Sequence, residues 1–236
     1  MLFAIRVFVI TTILAVLVIE LAGWMQRHRQ DLPWTEVDLQ APPGRFTAGR
    51  IAELGSDPPR CRAILARDGG ISRPAPDRLV GNECGYRDGT NLRLASIGLS
   101  PAGVVSSCPV AAAAFVWEEA VQREARVRFG SPVVRLLHAG SFSCRRLYGR
   151  SEGAWSEHAT ADALDVLGFV LEDGRTISVL RDWPDQGPKG TFLRGVRDAA
   201  CRSFTTVLSP DYNAAHRDHL HLDTADRGAG GWRACR

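Results

Sequence analysis

Apolar residues fill the chain from position 2 to 23, LFAIRVFVITTILAVLVIELAG, and the only charges in that run are Arg6 and Glu20. A helix needs about 20 apolar residues to cross a bilayer. A cleaved export signal has a shorter apolar stretch ending in small residues, whereas this run passes straight into Trp24, Met25 and Gln26. The pattern therefore predicts an uncleaved transmembrane anchor over 1–26, with Trp24 at the interface. Residues 27–58 contain Pro33, Pro42, Pro43, Gly44 and Pro58 with little periodicity, which predicts a tether. The folded domain is expected over 59–236.

Within that domain the periodicity changes several times. A short helix is predicted over 61–67, then loops marked by Asp68-Gly69-Gly70 and Asp88-Gly89, then a strand near 91–97. Ser107-Cys108-Pro109 has the form of a helix start, with a serine cap and proline in the first turn. Val110, Ala113, Ala114, Trp117 and Val121 then share one helical stripe, and Gly130 closes it. A strand is predicted over 133–137. Two arms, 163–171 and 176–183, flank Asp173-Gly174 and predict a β-hairpin. Phe192, Val196, Ala199 and Ala200 mark a second helix face, and 219–222 the last strand. Helices beside hairpin-linked strands predict an α+β domain with an antiparallel sheet.

Composition narrows the function classes. The chain of 236 residues is 45% hydrophobic and 23% charged, with a net charge of +3. That balance is globular rather than disordered, and it lacks the basic excess of a nucleic-acid binder. Arg27, His28 and Arg29 follow the apolar run, and by loop charge alone would place that side in the cytoplasm. The cysteines argue the other way. Cys61, Cys84, Cys108, Cys144, Cys201 and Cys235 are even in number, scattered, and free of any C-x-x-C knuckle. Behind an export signal that pattern reads as disulfides in an oxidising compartment, with the pairing left open. The expected location is the inner membrane, single-pass, with the domain in the periplasm.

Four of the six histidines fall in two short clusters: His158 in Ser156–Asp165, and His216, His219 and His221 in His216–Asp223. Imidazole and carboxylate are zinc ligands, and a catalytic zinc uses three protein ligands and keeps one position open. His158 and Asp165 can supply two of them if the chain turns between them and enters a strand at Ala163. Residues i and i+2 of a strand share a face, so His219 and His221 can look into one cavity.

The first cluster resembles the S-x-H-x-x-G-x-A-x-D motif of zinc D-Ala-D-Ala carboxypeptidases, dipeptidases and murein endopeptidases. Ser156, His158, Ala163 and Asp165 match, and Ala161 stands where the motif has glycine. His219-Leu220-His221 is similar to the H-x-H of the murein endopeptidases. The strings S-C-P-x-A, S-C-R, S-E-H-A-x-x-x-A-L-D, A-C-x-x-F and H-x-D-H-x-H-x-D resemble those of bacterial extensin-like C-terminal domains. They occur in order between Ser107 and Asp223.

The resemblance implies a zinc D-Ala-D-Ala carboxypeptidase-like (Hedgehog/DD-peptidase-like) fold. It also implies zinc bound by His158, Asp165 and His221, and a peptidoglycan peptide as substrate. His219 is the expected general base and Arg145 the expected oxyanion partner, with Asp223 or Asp218 orienting a histidine. Glu157 is a rival base expected to point away, His216 a rival ligand, and Arg146 a rival to Arg145. The expected function is a membrane-anchored periplasmic zinc metallopeptidase-like protein. The alternative is a non-catalytic cell-wall-binding or scaffolding protein on the same fold.

Overall fold

A computed structural model of the chain describes residues 1–227 and 233–236. Helix α1 (Leu2–Arg27) is the apolar run, and it buries none of its residues against the rest of the chain. It is long and apolar enough to cross a membrane. An unpartnered apolar helix of this length is compatible with a single-pass anchor or a signal sequence.

Two short helices follow, α2 (Thr47–Glu53) and α3 (Pro58–Arg67). Six small strands lead to the long helix: β1 (Arg73–Pro74), β2 (Arg78–Val80), β3 (Cys84–Tyr86), β4 (Thr90–Asn91), β5 (Gly98–Ser100) and β6 (Val105–Ser106). Helix α4 (Cys108–Phe129) starts on Ser107, whose hydroxyl accepts from the Val110 amide, and stops at Gly130 in the left-handed conformation at φ 66°. The remaining elements are β7 (Val133–Gly140), β8 (Ala163–Leu171), β9 (Thr176–Ser178), α5 (Val179–Asp182), α6 (Pro188–Ala200), β10 (Thr206–Leu208), β11 (Leu220–Asp223) and β12 (Ala234–Cys235).

The fold is α+β. The main sheet runs β12-β10-β11-β8-β7-β5, and β9 pairs with the second half of β8. Most pairings are antiparallel, but β5 with β7 and β10 with β12 are parallel, so the sheet is mixed rather than purely antiparallel. Helices α4 and α6 lie together on the core. Trp117 of α4 donates its Nε1–H to the Val196 carbonyl of α6 at 2.8 Å, and its ring meets Phe169 and Phe204 edge-on. Period-two alternation divides β8 and β11. Leu164, Val166, Leu220 and Leu222 enter the core, which leaves Asp165, His221 and Asp223 for the opposite face.

Several expectations need correction. Residues 27–58 are more than a tether: Leu32, Val37, Leu39, Ile51 and Leu54 are buried, and α2 packs on α4. Polar bonds hold this stretch as well. Arg50 Nη2 donates to the Gln30 carbonyl at 2.8 Å, and Asp68 accepts the Leu39 amide at 2.8 Å. A helix of seven residues is too short to show a period, so the prolines dominated the pattern. The strand expected over 91–97 is absent apart from Asn91: β4 ends there, residues 92–97 are a loop, and β5 begins only at Gly98. The second hairpin arm ends at Ser178, because the Asp182 carboxylate accepts the Ser178 amide at 2.7 Å and turns the chain into α5.

Three disulfides use all six cysteines: Cys61–Cys108, Cys84–Cys144 and Cys201–Cys235. They tie α3 to the start of α4, β3 to the segment after β7, and the end of α6 to β12.

Candidate metal centre

The site is built where β8 and β11 pair. Their register sets His221 directly opposite Asp165. A short 3₁₀ turn, Glu157–Thr160, brings His158 over them. Ser156 caps that turn by accepting the His158 amide, and Ala161 closes it in the left-handed conformation at φ 62°. This is the position where the motif has glycine, and the backbone adopts the glycine-type conformation with alanine in place.

His158, Asp165 and His221 are all buried, and each offers a ligand atom within 4.8 Å of the others. His158 Nε2 lies 3.1 Å from Asp165 Oδ2 and 3.2 Å from His221 Nδ1, and His221 Nδ1 lies 3.0 Å from Asp165 Oδ1. Two ligands about 2.0–2.1 Å from a tetrahedral zinc stand about 3.3 Å apart, so the triangle has the size the metal requires.

The outer contacts decide which nitrogens face inward. His158 Nδ1 is 2.6 Å from the Ser141 carbonyl, which only accepts, so Nδ1 carries the proton and Nε2 presents its lone pair. His221 Nε2 is 3.1 Å from Asp223 Oδ2, which leaves Nδ1 for the cluster. Carboxylates and carbonyls that orient ligand imidazoles in this way are characteristic of metal sites. Two lone pairs and a carboxylate held this close repel one another unless a proton or a metal lies between them.

The titration behaviour follows from the same contacts. Burial opposes charge on His221, but hydrogen bonds to Asp165 and Asp223 outweigh it and raise its pKa to about 9. Burial likewise pushes Asp165 up, yet the hydrogen bonds from His158 and His221 hold it well below the usual carboxylate range. His216 goes the other way: burial, then the charges of His221 and His219, lower it to about 4.

The remaining expected residues fall at different distances from the trio. His219 precedes β11 rather than lying in it, yet its Nε2 is 3.6 Å from Asp165 Oδ1 while Nδ1 is held by Asp218 at 2.9 Å. His216 is not among the three clustered ligands. Its ring sits beside those of His219 and His221, with Nδ1 on Asn213 Oδ1 at 2.8 Å. Arg145 is exposed, makes no side-chain hydrogen bond among the described residues, and bears electrostatically on His216. Arg146 stacks on Trp155 at 4.3 Å and bonds the Gly153 carbonyl, so it is committed elsewhere. Glu157 lines a separate cavity. His138 is tied to the Pro101 carbonyl.

Sequence reasoning missed Ser141 and Asn213. Ser141 orients His158 through its backbone carbonyl, which any residue would supply, so no sequence signal exists for it. Asn213 had one: an Asx residue before a short helical turn is a cap signal. It accepts the Ala215 amide at 3.0 Å and reaches Tyr148 Oη at 3.4 Å.

Residues 59–236 match the family described as extensin-like protein C-terminus. The chain belongs to that family. No curated protein and no solved structure matches it.

Proposed function

We propose that the chain is a membrane-anchored, exported zinc metallopeptidase-like protein that hydrolyses peptide bonds in peptidoglycan, on a fold related to the zinc D-Ala-D-Ala carboxypeptidases. One observation carries the reading: His158, Asp165 and His221 present three inward-facing ligand atoms, with Ser141 and Asp223 setting the imidazoles. The match of Ser156–Asp165 and His219–His221 to the motifs of that peptidase group supplies the substrate class. The three disulfides support an oxidising compartment and hence a periplasmic domain.

A zinc ion there would supply Lewis acidity toward a peptide carbonyl and a nucleophilic water near neutral pH. His219 stands beside the trio and can take a proton at Nε2 while Asp218 holds Nδ1. Arg145 at the rim can pair with the charge that develops on the substrate oxygen. The test is incubation of the detergent-solubilised full chain, loaded with zinc, with muropeptides of defined structure. The reading expects cleavage that His221→Ala abolishes. Stoichiometric zinc without cleavage of any muropeptide would sink the peptidase claim.

A second reading, cell-wall binding without turnover, is favoured by one feature: among the described residues no glutamate joins the ligand cluster, and Glu157, the carboxylate nearest in sequence to His158, lines a cavity that none of the three ligands lines. Co-sedimentation with purified sacculi in the absence of cleavage would select it.

A further inference from the structure

Arg27, His28 and Arg29 stand at the end of α1, where loop charge alone would favour the cytoplasm. The structure gives them another setting. A cavity of about 580 Å³ opens where the end of α1 meets the folded domain, walled by 26–31, parts of 36–44, Arg67, Asp68 and Arg202. The helix sets its depth. At about 1.5 Å per residue, 2–23 covers about 33 Å, close to the roughly 30 Å of a bilayer's hydrocarbon core. The headgroup layer adds about 5–7 Å on each side, and 24–27 crosses about 6 Å of it. Trp24 is exposed at that level, as interfacial tryptophans are. The cavity therefore opens at the height of lipid headgroups.

The charges around it fall into two groups. Glu36 and Asp68 are taken by arginines: Arg67 Nη1 lies 2.7 Å from Glu36, its Nε lies 2.6 Å from Asp68, and Arg60 adds a contact to Glu36 at 3.3 Å. Arg27, Arg29 and Arg202 then remain against Asp31 and Asp38. Arg27 and Arg29 are exposed and form no side-chain hydrogen bond or ion pair among the described residues. Arg27 lies back along α1 beside Gly23, on the bilayer side of the cavity. Arg202 is also exposed, and its Nη2 donates to the Pro43 carbonyl at 2.6 Å, which leaves Nη1 and Nε. Asp31 Oδ1 accepts the Arg45 amide at 2.7 Å and Asp38 Oδ1 the Gln40 amide at 2.9 Å, so Oδ2 of each is left for a donor. Arg50 bears on Asp31 from outside the lining.

A basic residue in the last turn of a helix answers the helix dipole, and that accounts for Arg27. It does not account for Arg202, which arrives from just past α6, or for two carboxylates in the same cavity. Unused guanidinium nitrogens beside unused carboxylate oxygens match a zwitterion. We propose that the cavity holds the headgroup of a phospholipid that joins a phosphate to a primary ammonium, with Arg27, Arg29 and Arg202 on the phosphate and Asp31 and Asp38 on the ammonium. Guanidinium forks suit phosphate oxygens, and an ammonium brings three donors to carboxylates. The inference rests on α1 being a retained anchor and is independent of what the zinc cluster does.

Native mass spectrometry of the full chain in non-ionic detergent tests it, with phosphatidylethanolamine, phosphatidylcholine and phosphatidylglycerol of identical acyl chains as probes. Phosphatidylcholine carries the phosphate without N–H donors, and phosphatidylglycerol carries it without a cation. The same spectra read the mass of the chain, so a chain that has lost α1 is told apart from an intact chain that ignores lipid. The proposal expects an intact chain that holds one phosphatidylethanolamine about fivefold tighter than either other lipid. Arg29→Gln should weaken all three lipids about fivefold, and Asp38→Asn should weaken phosphatidylethanolamine alone by a similar factor. Both positions are exposed, so neither change disturbs the core. Loss of α1 from the purified chain, either other lipid binding as tightly as phosphatidylethanolamine, or phosphatidylethanolamine affinity unchanged in Arg29→Gln or Asp38→Asn would overturn the proposal. Displacement of the lipid by an equal concentration of free phosphoethanolamine would make the ligand a soluble one and overturn the lipid claim.

Discussion

His221 stands directly across from Asp165 in the antiparallel pairing of β11 with β8, its Nδ1 3.0 Å from Oδ1. Both strands bury leucine or valine on their other face, so a one-residue slip of either strand would turn its own ligand into the core. The sheet's register thus holds two of the three candidate ligands, and the His158 turn adds the third.

Zinc content follows from that arrangement. Purified full chain should carry about one zinc per molecule, read by elemental analysis, and His158→Ala, Asp165→Asn and His221→Ala should each lose it. Zinc at a thousand times its dissociation constant would stabilise the domain by about 4 kcal/mol, seen as a fall in melting temperature on chelation. Full zinc occupancy in His221→Ala would refute the site.

Asp223 accepts from His221 Nε2 and makes no direct claim on the metal. Asp223→Asn should lower zinc affinity about 10–100-fold without abolishing binding. Competition against a fluorescent zinc chelator measures it, and an unchanged affinity would remove Asp223 from its orienting role.

Proton linkage gives a pH dependence with a definite sign. The folded pKa of His221, about 9, lies above its ordinary 6.5. Its contribution to the stability of the metal-free protein is therefore full below about pH 6.5 and lost as pH rises through 9. The loss is on the order of 3 kcal/mol. Metal-free samples should melt lower at pH 9.5 than at pH 6.5, and zinc uptake near neutral pH should release a proton, detectable by calorimetry in buffers of different ionisation enthalpy. Asp165, held low, acts oppositely: its contribution persists above the ordinary carboxylate range and goes only in strong acid.

Ala161 holds a left-handed backbone at φ 62° while fully buried. An L-residue there costs about 1–2 kcal/mol, and glycine recovers this less about 0.4–1 kcal/mol of chain entropy. Ala161→Gly should stabilise the domain by about 0.5–1 kcal/mol in denaturant melts, with zinc affinity kept. A destabilised variant would show that the methyl group's packing outweighs the strain.

Ile51 is completely buried, although it lies upstream of the family match at 59–236. Ile51→Ala should cost about 2–5 kcal/mol, whereas the same change in a solvated tether would cost nothing measurable. Chemical denaturation of the full chain distinguishes the two.

The sequence by itself determined α1, α4 and the residue types gathered in the two histidine clusters. These depend on local rules: a run of apolar side chains, a serine cap with proline behind it, a stripe at helical spacing, and residue types that bind metal. His158, Asp165 and His221 were legible because they sit in short motifs. Only the tertiary structure decided which ring nitrogens point inward, since that depends on Ser141 and Asp223 at the far side of each imidazole. It also chose the cysteine pairing, moved His219 off the strand while keeping it beside Asp165, and buried residues of 27–58 that carry no visible period. All of these are long-range contacts: they join segments distant in sequence, and the strength of such a contact depends on geometry that no local pattern encodes.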